Sequence, residues 1–197
     1  MNGTIDDIVA CLGRGGVVLL PTDTVYGLAV SPEFDEAIDR LFRLKRRPRN
    51  VNLPIMVASD AELEPLGFEV SEAARRLLAS PLIPGSLTLA MGFSSEYRPT
   101  WLAGRDEAAV RIPNDERLLS VLRQAGPLLV TSANAHSAET PDNVADILAQ
   151  LDGAPDLTID GGTLRTTAST LVNCRLDPPR IERIGVVPES EVLKYLS

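Results

Sequence analysis

The chain has 197 residues, of which 44% are hydrophobic and 23% charged, and its formal net charge is −8 at pH 7. These values are typical of a globular protein with room for one sizeable core. The acidic balance argues against a protein that binds nucleic-acid backbones over a broad surface, and no apolar run approaches the ~20 residues of a membrane-spanning helix.

The first predicted elements are a helix and two buried strands. Thr4 is a candidate helix cap, and Gly13 follows the last turn of that helix. The apolar runs 17–20 and 25–30 predict strands on either side of the polar loop "PTDT". Residues 33–46 then carry apolar side chains at the spacing of an amphipathic helix, which ends in a basic turn.

The rest of the chain continues to interleave helices and strands. Strands are predicted at 53–59, 86–93, 108–113, 127–133, 156–162, 169–174 and 180–187, and helices at 71–80, 114–125, 141–151 and 189–196. Several strands are joined by short connections, and no linker divides the chain. This order predicts an α/β or α+β fold with a mixed sheet and flanking helices, in a single domain over residues 1–197.

Two local patterns indicate the compartment. The first ten residues, "MNGTIDDIVA", are acidic and do not read as a signal peptide. Cys11 and Cys174 are far apart in sequence and form no CxxC pair, so we expect neither a disulfide-rich scaffold nor structural zinc. A cytoplasmic protein is expected.

Residues 40–49, "RLFRLKRRPR", concentrate six cations on an otherwise acidic chain. This clustering favours a local site for an anion over a broad binding face. A second hypothesis stays open here, in which the same stretch of a non-catalytic module binds RNA. The low aromatic content, 4%, speaks against it, because single-strand binders stack bases on aromatic rings.

The usual catalytic motifs are missing from the sequence. It contains no GxxxxGK[ST] loop, and its one histidine, His136, is not part of a nucleophile elbow. An enzyme with this sequence would therefore work by positioning its substrates and by electrostatic stabilisation.

Polar clusters stand at the ends of several predicted strands. They are "PTDT" (21–24), "PGSLT" (84–88), "TSAN" (131–134) and "ST" (169–170). Any one such hydroxyl most often satisfies a nearby backbone group. Arg111 is more informative, because a cation among apolar strand residues needs an anionic partner, internal or bound.

Taken in order, these motifs resemble the YrdC-like domain family of threonylcarbamoyl-AMP synthases. The resemblance rests on "PTDTVYGL", "LKRRP", "PGSLTL", "AVRIP", "TSAN", "DGG", "ST" and a late "R.G", and it spans roughly residues 10 to 190. It implies a single α/β domain whose twisted mixed sheet, with flanking helices, surrounds a deep groove.

The resemblance also implies an activity. Family members make L-threonylcarbamoyl-adenylate from L-threonine, bicarbonate or CO2, and ATP, and release pyrophosphate. The product goes to a tRNA threonylcarbamoyl-transfer complex that forms N6-threonylcarbamoyladenosine. We expect ATP as a substrate, with Mg2+ on its phosphates, and no metal site among the chain's own residues.

Residue roles carry over position by position. Lys45 and Arg47 match the phosphate-binding, catalytic K-x-R. The positions implied for threonine are Thr24, Met56, Arg111 and Ser169. Those implied for the nucleotide, besides Lys45 and Arg47, are Ser132, Asn134, Thr140 and Arg183. Met56 stands where many relatives have a histidine, which leaves open a carbamoyl-adenylate enzyme with another substrate.

Overall fold

The computed structural model describes residues 3–94, 99–164 and 167–196. The strands are β1 (Val18–Leu20), β2 (Gly27–Val30), β3 (Ile55–Met56), β4 (Phe68–Glu69), β5 (Leu87–Phe93), β6 (Glu107–Arg111), β7 (Leu128–Ser132), β8 (Leu157–Thr158), β9 (Thr170–Asn173) and β10 (Arg180–Arg183). The α-helices are α1 (Ile5–Leu12), α2 (Asp35–Leu44), α3 (Glu72–Leu78), α4 (Glu116–Ala125), α5 (Val144–Gln150) and α6 (Glu189–Leu193).

The strands form one mixed sheet, as the sequence predicts. Its order is β10-β9-β5-β6-β3-β7-β2-β1-β8, and β4 pairs with β5 beside this path. The pairs β1/β8, β3/β6 and β5/β9 are parallel, and the other pairs are antiparallel. Strands from distant parts of the sequence therefore become neighbours at the centre of the sheet.

Local signals explain most element boundaries. Thr4 caps α1 in a reciprocal capping box with Asp7, as its position before an apolar stripe suggests. Helix α5 begins later than predicted, because the Asn143 side chain accepts a hydrogen bond from the backbone N–H of Asp146 and so sets the first turn.

Two short strands differ from the prediction. Strand β3 covers only Ile55–Met56 of the predicted 53–59. Strand β4, Phe68–Glu69, is absent from the prediction, because a segment of two residues shows no periodic pattern. Only its hydrogen-bonded pairing with β5 makes it a strand.

Apolar residues cover both faces of the sheet. In β1, Leu19 belongs to one buried cluster, while Val18 and Leu20 belong to another, as the alternation of side chains along a strand requires. Helices α1 and α4 pack on the second face through residues such as Ile8 and Leu118. Among the described residues, no helix has the length and apolar character needed to cross a membrane.

Candidate active site

A cavity of about 310 Å³ lies over the sheet. Its walls come from distant parts of the chain, including residues of β2, β3, β5, β6, β7, β9 and β10. Seven predicted site residues line it, namely Thr24, Arg47, Met56, Arg111, Ser132, Ser169 and Arg183. The tertiary structure thus brings together most of the residues that the sequence places in separate motifs. The resemblance also implies that the sheet surrounds a deep groove, and the depth of that groove stays a prediction.

The loop "PTDT" at the end of β1 is shaped by its own hydroxyls. Thr22 Oγ1 donates to the Val25 carbonyl at 2.7 Å and accepts from the Thr24 amide at 3.1 Å. This local turn holds the buried Thr24 side chain toward Arg111, whose Nη1 donates to Thr24 Oγ1 at 2.7 Å. The hydroxyls therefore build the wall of the cavity as well as satisfying the backbone.

Arg111 is a buried cation with an internal anionic partner. Its Nε donates to the Gly85 carbonyl at 2.9 Å, and its Nη2 lies 2.8 Å from Asp23 Oδ1. Burial lowers the pKa of Arg111, and the neighbouring Asp23 carboxylate opposes that shift. These contacts fix the guanidinium in one orientation at the cavity wall.

Lys45 lies behind the cavity wall and is completely buried. Its Nζ donates to the Ser132 carbonyl and, at 2.6 Å, to the Asn134 carbonyl. Burial, together with the charge of Arg47, lowers the pKa of Lys45 to about 7. Lys45 therefore holds the loop that follows β7, and the structure does not place it among the residues that line the cavity.

Asn134 and Thr140 also belong to the inner network of this loop. Asn134 Oδ1 accepts hydrogen bonds from the hydroxyls of Ser132 and Thr140, and Asn134 Nδ2 donates to the Ala135 and Ala138 carbonyls, both at 2.8 Å. Of this group, Ser132 lines the cavity. Any contact of Asn134 or Thr140 with a nucleotide stays a prediction.

Arg47 reaches the cavity from the turn after α2. Arg46 has a φ of +50°, and this left-handed residue lets the chain turn sharply between Lys45 and Arg47. Arg47 Nη2 donates to the Asn52 carbonyl at 2.6 Å, while its buried Nε has no hydrogen-bond partner among the residues that the structure describes. A buried, unpaired guanidinium N–H at a cavity wall is suited to an anionic ligand.

A second pair of hydroxyls, from Thr88 and Ser169, also lines the cavity. Ser169 Oγ is 2.7 Å from Thr88 Oγ1, and Arg183 Nε donates to the Ser169 carbonyl at 3.1 Å. Thr88 belongs to the polar cluster "PGSLT". Its position beside Ser169 depends on the parallel pairing of β5 with β9, which no local pattern shows.

Glu107 and Glu182 also line the cavity and were not predicted as site residues. Both lie in strands whose sequence pattern does not reveal which face points to a ligand. Glu182 is the harder to predict, because an irregularity in β10 sets its direction.

Comparison with known proteins identifies the family. The Sua5/YciO/YrdC family model, described as "Telomere recombination", matches residues 10–185. A threonylcarbamoyl-AMP synthase of Pyrococcus abyssi is 33% identical over 185 residues, covering 93% of this chain and 54% of that protein. One of Bacillus subtilis is 30% identical over 191 residues, covering 95% and 55%. The chain spans about half the length of these curated relatives.

Solved structures show the same fold. The crystal structure of P. abyssi Sua5 complexed with L-threonine matches with a TM-score of 0.88 at 32% identity, over 97% of this chain and 56% of that one. Escherichia coli YciO matches with a TM-score of 0.82 at 27% identity, over 93% and 90%. Since the family model covers most of the sequence and the fold agrees, this chain belongs to the Sua5/YciO/YrdC family.

Proposed function

We propose that this chain is an L-threonylcarbamoyl-adenylate synthase that uses L-threonine, bicarbonate or CO2, and ATP. The observation that carries the proposal is one cavity lined by Thr24, Arg111 and Ser169 together with Arg47 and Ser132. Hydroxyls and a fixed guanidinium suit a small amino acid, and a partly unpaired guanidinium suits phosphate. The relatives' names and the threonine bound to P. abyssi Sua5 support this assignment.

The reaction needs no nucleophile from the protein. The threonine amine attacks CO2 and loses a proton to give a carbamate. A carbamate oxygen then forms a bond to the α-phosphorus of ATP, and the bond from that phosphorus to pyrophosphate breaks. Arg111, Thr24 and Ser169 orient the amino acid, and Met56 packs at its side. Arg47 and Arg183 stabilise the charge that develops on the phosphates.

Lys45 has a positioning role in this proposal. Its ammonium group holds the backbone of Ser132 and Asn134, so the loop beside the phosphates keeps its shape. Asn134 and Thr140 support the same loop from within, and Ser132 is its member at the cavity wall.

In the part of the chain that the structure describes, no three His, Cys, Asp or Glu side chains gather to hold an ion. We assign no step to a metal. Mg2+ bound through the ATP phosphates stays a prediction, since such an ion is held largely by the substrate and water.

The basic stretch gives little support to the alternative RNA-binding function. Three of its six cations are paired with carboxylates, Arg40 with Asp156 at 2.6 Å, Arg46 with Asp152 at 3.8 Å and Arg49 with Asp39 at 2.6 Å. These pairs reduce the charge offered to a phosphate backbone.

Transfer to tRNA by a partner complex, a cytoplasmic location and a single domain over 1–197 stay proposals.

The proposal predicts that pyrophosphate release from ATP requires both L-threonine and bicarbonate. The measurement is a coupled pyrophosphate assay with each of the common amino acids in turn, with and without bicarbonate. Release that is equal without an amino acid contradicts the synthase. Release with a different amino acid keeps the chemistry and replaces the substrate, an outcome for which Met56 gives a structural reason.

Gly185 is expected to be required for the shape of the amino-acid site. A Cβ added there would lie 2.1 Å from the Ala168 carbonyl oxygen and 2.6 Å from the Ser169 carbonyl carbon. Because these are backbone atoms, Gly185→Ala must displace Ser169, and we expect the KM for threonine to rise about tenfold, with a loss of about 1–3 kcal/mol of stability.

The matched control for this prediction is Gly92→Ala. Its added Cβ meets its nearest atoms at 3.6–3.7 Å, which is ordinary contact. Steady-state kinetics of both variants measures the change in the KM for threonine, and thermal unfolding measures the loss of stability. A Gly185→Ala protein with the threonine KM of the wild type would contradict the positioning role.

A further inference from the structure

A β-bulge in β10 turns two successive side chains into the cavity. Ile181 is paired with Val172 and Arg183 with Leu171, so Glu182 is an extra residue opposite the regular strand β9. In a regular strand, neighbouring side chains point to opposite faces. Bulges change this direction and are frequent beside functional sites. Here Glu182 and Arg183 both line the cavity.

Glu182 offers a carboxylate that is held in place but not neutralised. Asn173 Nδ2 donates to Glu182 Oε1 at 2.8 Å, which orients the group. In the described part of the chain, no cation forms an ion pair with Glu182. The other cavity carboxylate, Glu107, lies 3.6 Å from Arg175 Nη1. Glu182 is therefore the stronger acceptor for a ligand.

The cavity floor next to Glu182 is mostly apolar, since it consists of one leucine, one threonine and two alanines. Leu171 of β9 pairs with Thr88 of β5, and Ala90 of β5 pairs with Ala109 of β6. These four residues line the cavity. Such a floor gives contact area to a planar ring without blocking it, as an aromatic base requires.

We propose that the purine of the nucleotide lies on this floor and that Glu182 accepts a hydrogen bond from the exocyclic amine of adenine. This inference rests on the proposed function, in which ATP is the substrate. Guanine presents a carbonyl oxygen, O6, at the corresponding position. With the purine held in this orientation, a carboxylate facing that oxygen has no proton to share, so Glu182 favours adenine over guanine.

The test measures nucleotide binding by calorimetry with the full chain. The probes are ATP, GTP and purine riboside 5′-triphosphate, which lacks the exocyclic amine. We expect the wild type to bind ATP about ten- to hundredfold more tightly than either analogue, as loss of a hydrogen bond to a charged acceptor predicts. In Glu182→Gln the preference for ATP over GTP should fall about tenfold, because the amide can donate to O6.

Two further variants sharpen the result. Glu182→Ala should lose the preference for ATP without gaining affinity for GTP. Glu189→Gln, at the start of α6 and outside the cavity, should bind like the wild type. The inference is overturned if Glu182→Gln keeps the wild-type preference, or if purine riboside triphosphate binds to the wild type as tightly as ATP.

Threonine-dependent pyrophosphate release, measured on the same samples, distinguishes the two proposals. Release by the wild type with an unchanged base preference in Glu182→Gln rejects the inference alone. Base selectivity that depends on Glu182, with no threonine-dependent release, rejects the synthase and retains the adenine site.

Discussion

Replacing Arg47 by alanine is expected to lower threonine-dependent pyrophosphate release about a hundredfold or more, while the fold survives. Arg47 lines the cavity, and its buried Nε has no partner within the described residues, so the guanidinium keeps hydrogen-bonding capacity that the protein does not use. Removing a preorganised donor that stabilises developing charge typically costs this much in kcat. Initial-rate kinetics with saturating ATP and threonine measure the loss.

The matched control is Arg43→Ala, an exposed arginine on the last turn of α2 that does not line the cavity. It removes the same charge and should keep wild-type rates. Arg47→Lys retains the charge but not the planar fork, and we expect intermediate activity. Near-normal turnover by a folded Arg47→Ala protein would refute the phosphate role.

Replacing Lys45 by methionine is expected to lower the free energy of unfolding by about 2–3 kcal/mol and to reduce activity by loosening the Ser132–Asn134 loop. The substitution keeps much of the buried volume but leaves the Ser132 and Asn134 carbonyls without their donor. Chemical denaturation measures the stability, and hydrogen exchange of the amides in residues 132–138 reports on the loop. Unaltered stability and exchange would show that Lys45 does not hold this loop.

The pH dependence of stability gives an independent check on Lys45. Its pKa is lowered from 10.5 to about 7 in the folded chain. Between these two values the unfolded chain binds more protons than the folded chain, so this group makes the free energy of unfolding rise with pH. In Lys45→Met, the free energy of unfolding should therefore rise less steeply with pH between about 7 and 10.5. Identical slopes in the two proteins would place the folded pKa of Lys45 near its ordinary value.

The candidate site was only partly predictable from sequence. "PTDT", "LKRRP", "TSAN" and "ST" stand out locally, and the resemblance orders them into one family pattern. The structure brings Thr24, Arg47, Ser132 and Ser169 to one cavity. The K-x-R motif assigns the same role to Lys45 and Arg47, but the structure separates them. The left-handed backbone at Arg46 places the Lys45 side chain behind the cavity wall and the Arg47 side chain at the cavity.

Local sequence by itself determined the helices, most strands and the mixed α/β class, because side-chain periodicity and helix caps act between residues a few positions apart. Thr4 and Ser71 cap helices wherever those segments lie in the molecule. Only the tertiary structure decided the pairing of β5 with β9, the bulge at Glu182 and the close approach of Gly185 to Ser169. These features depend on contacts between segments far apart in the chain, and such contacts form only when the whole sheet assembles.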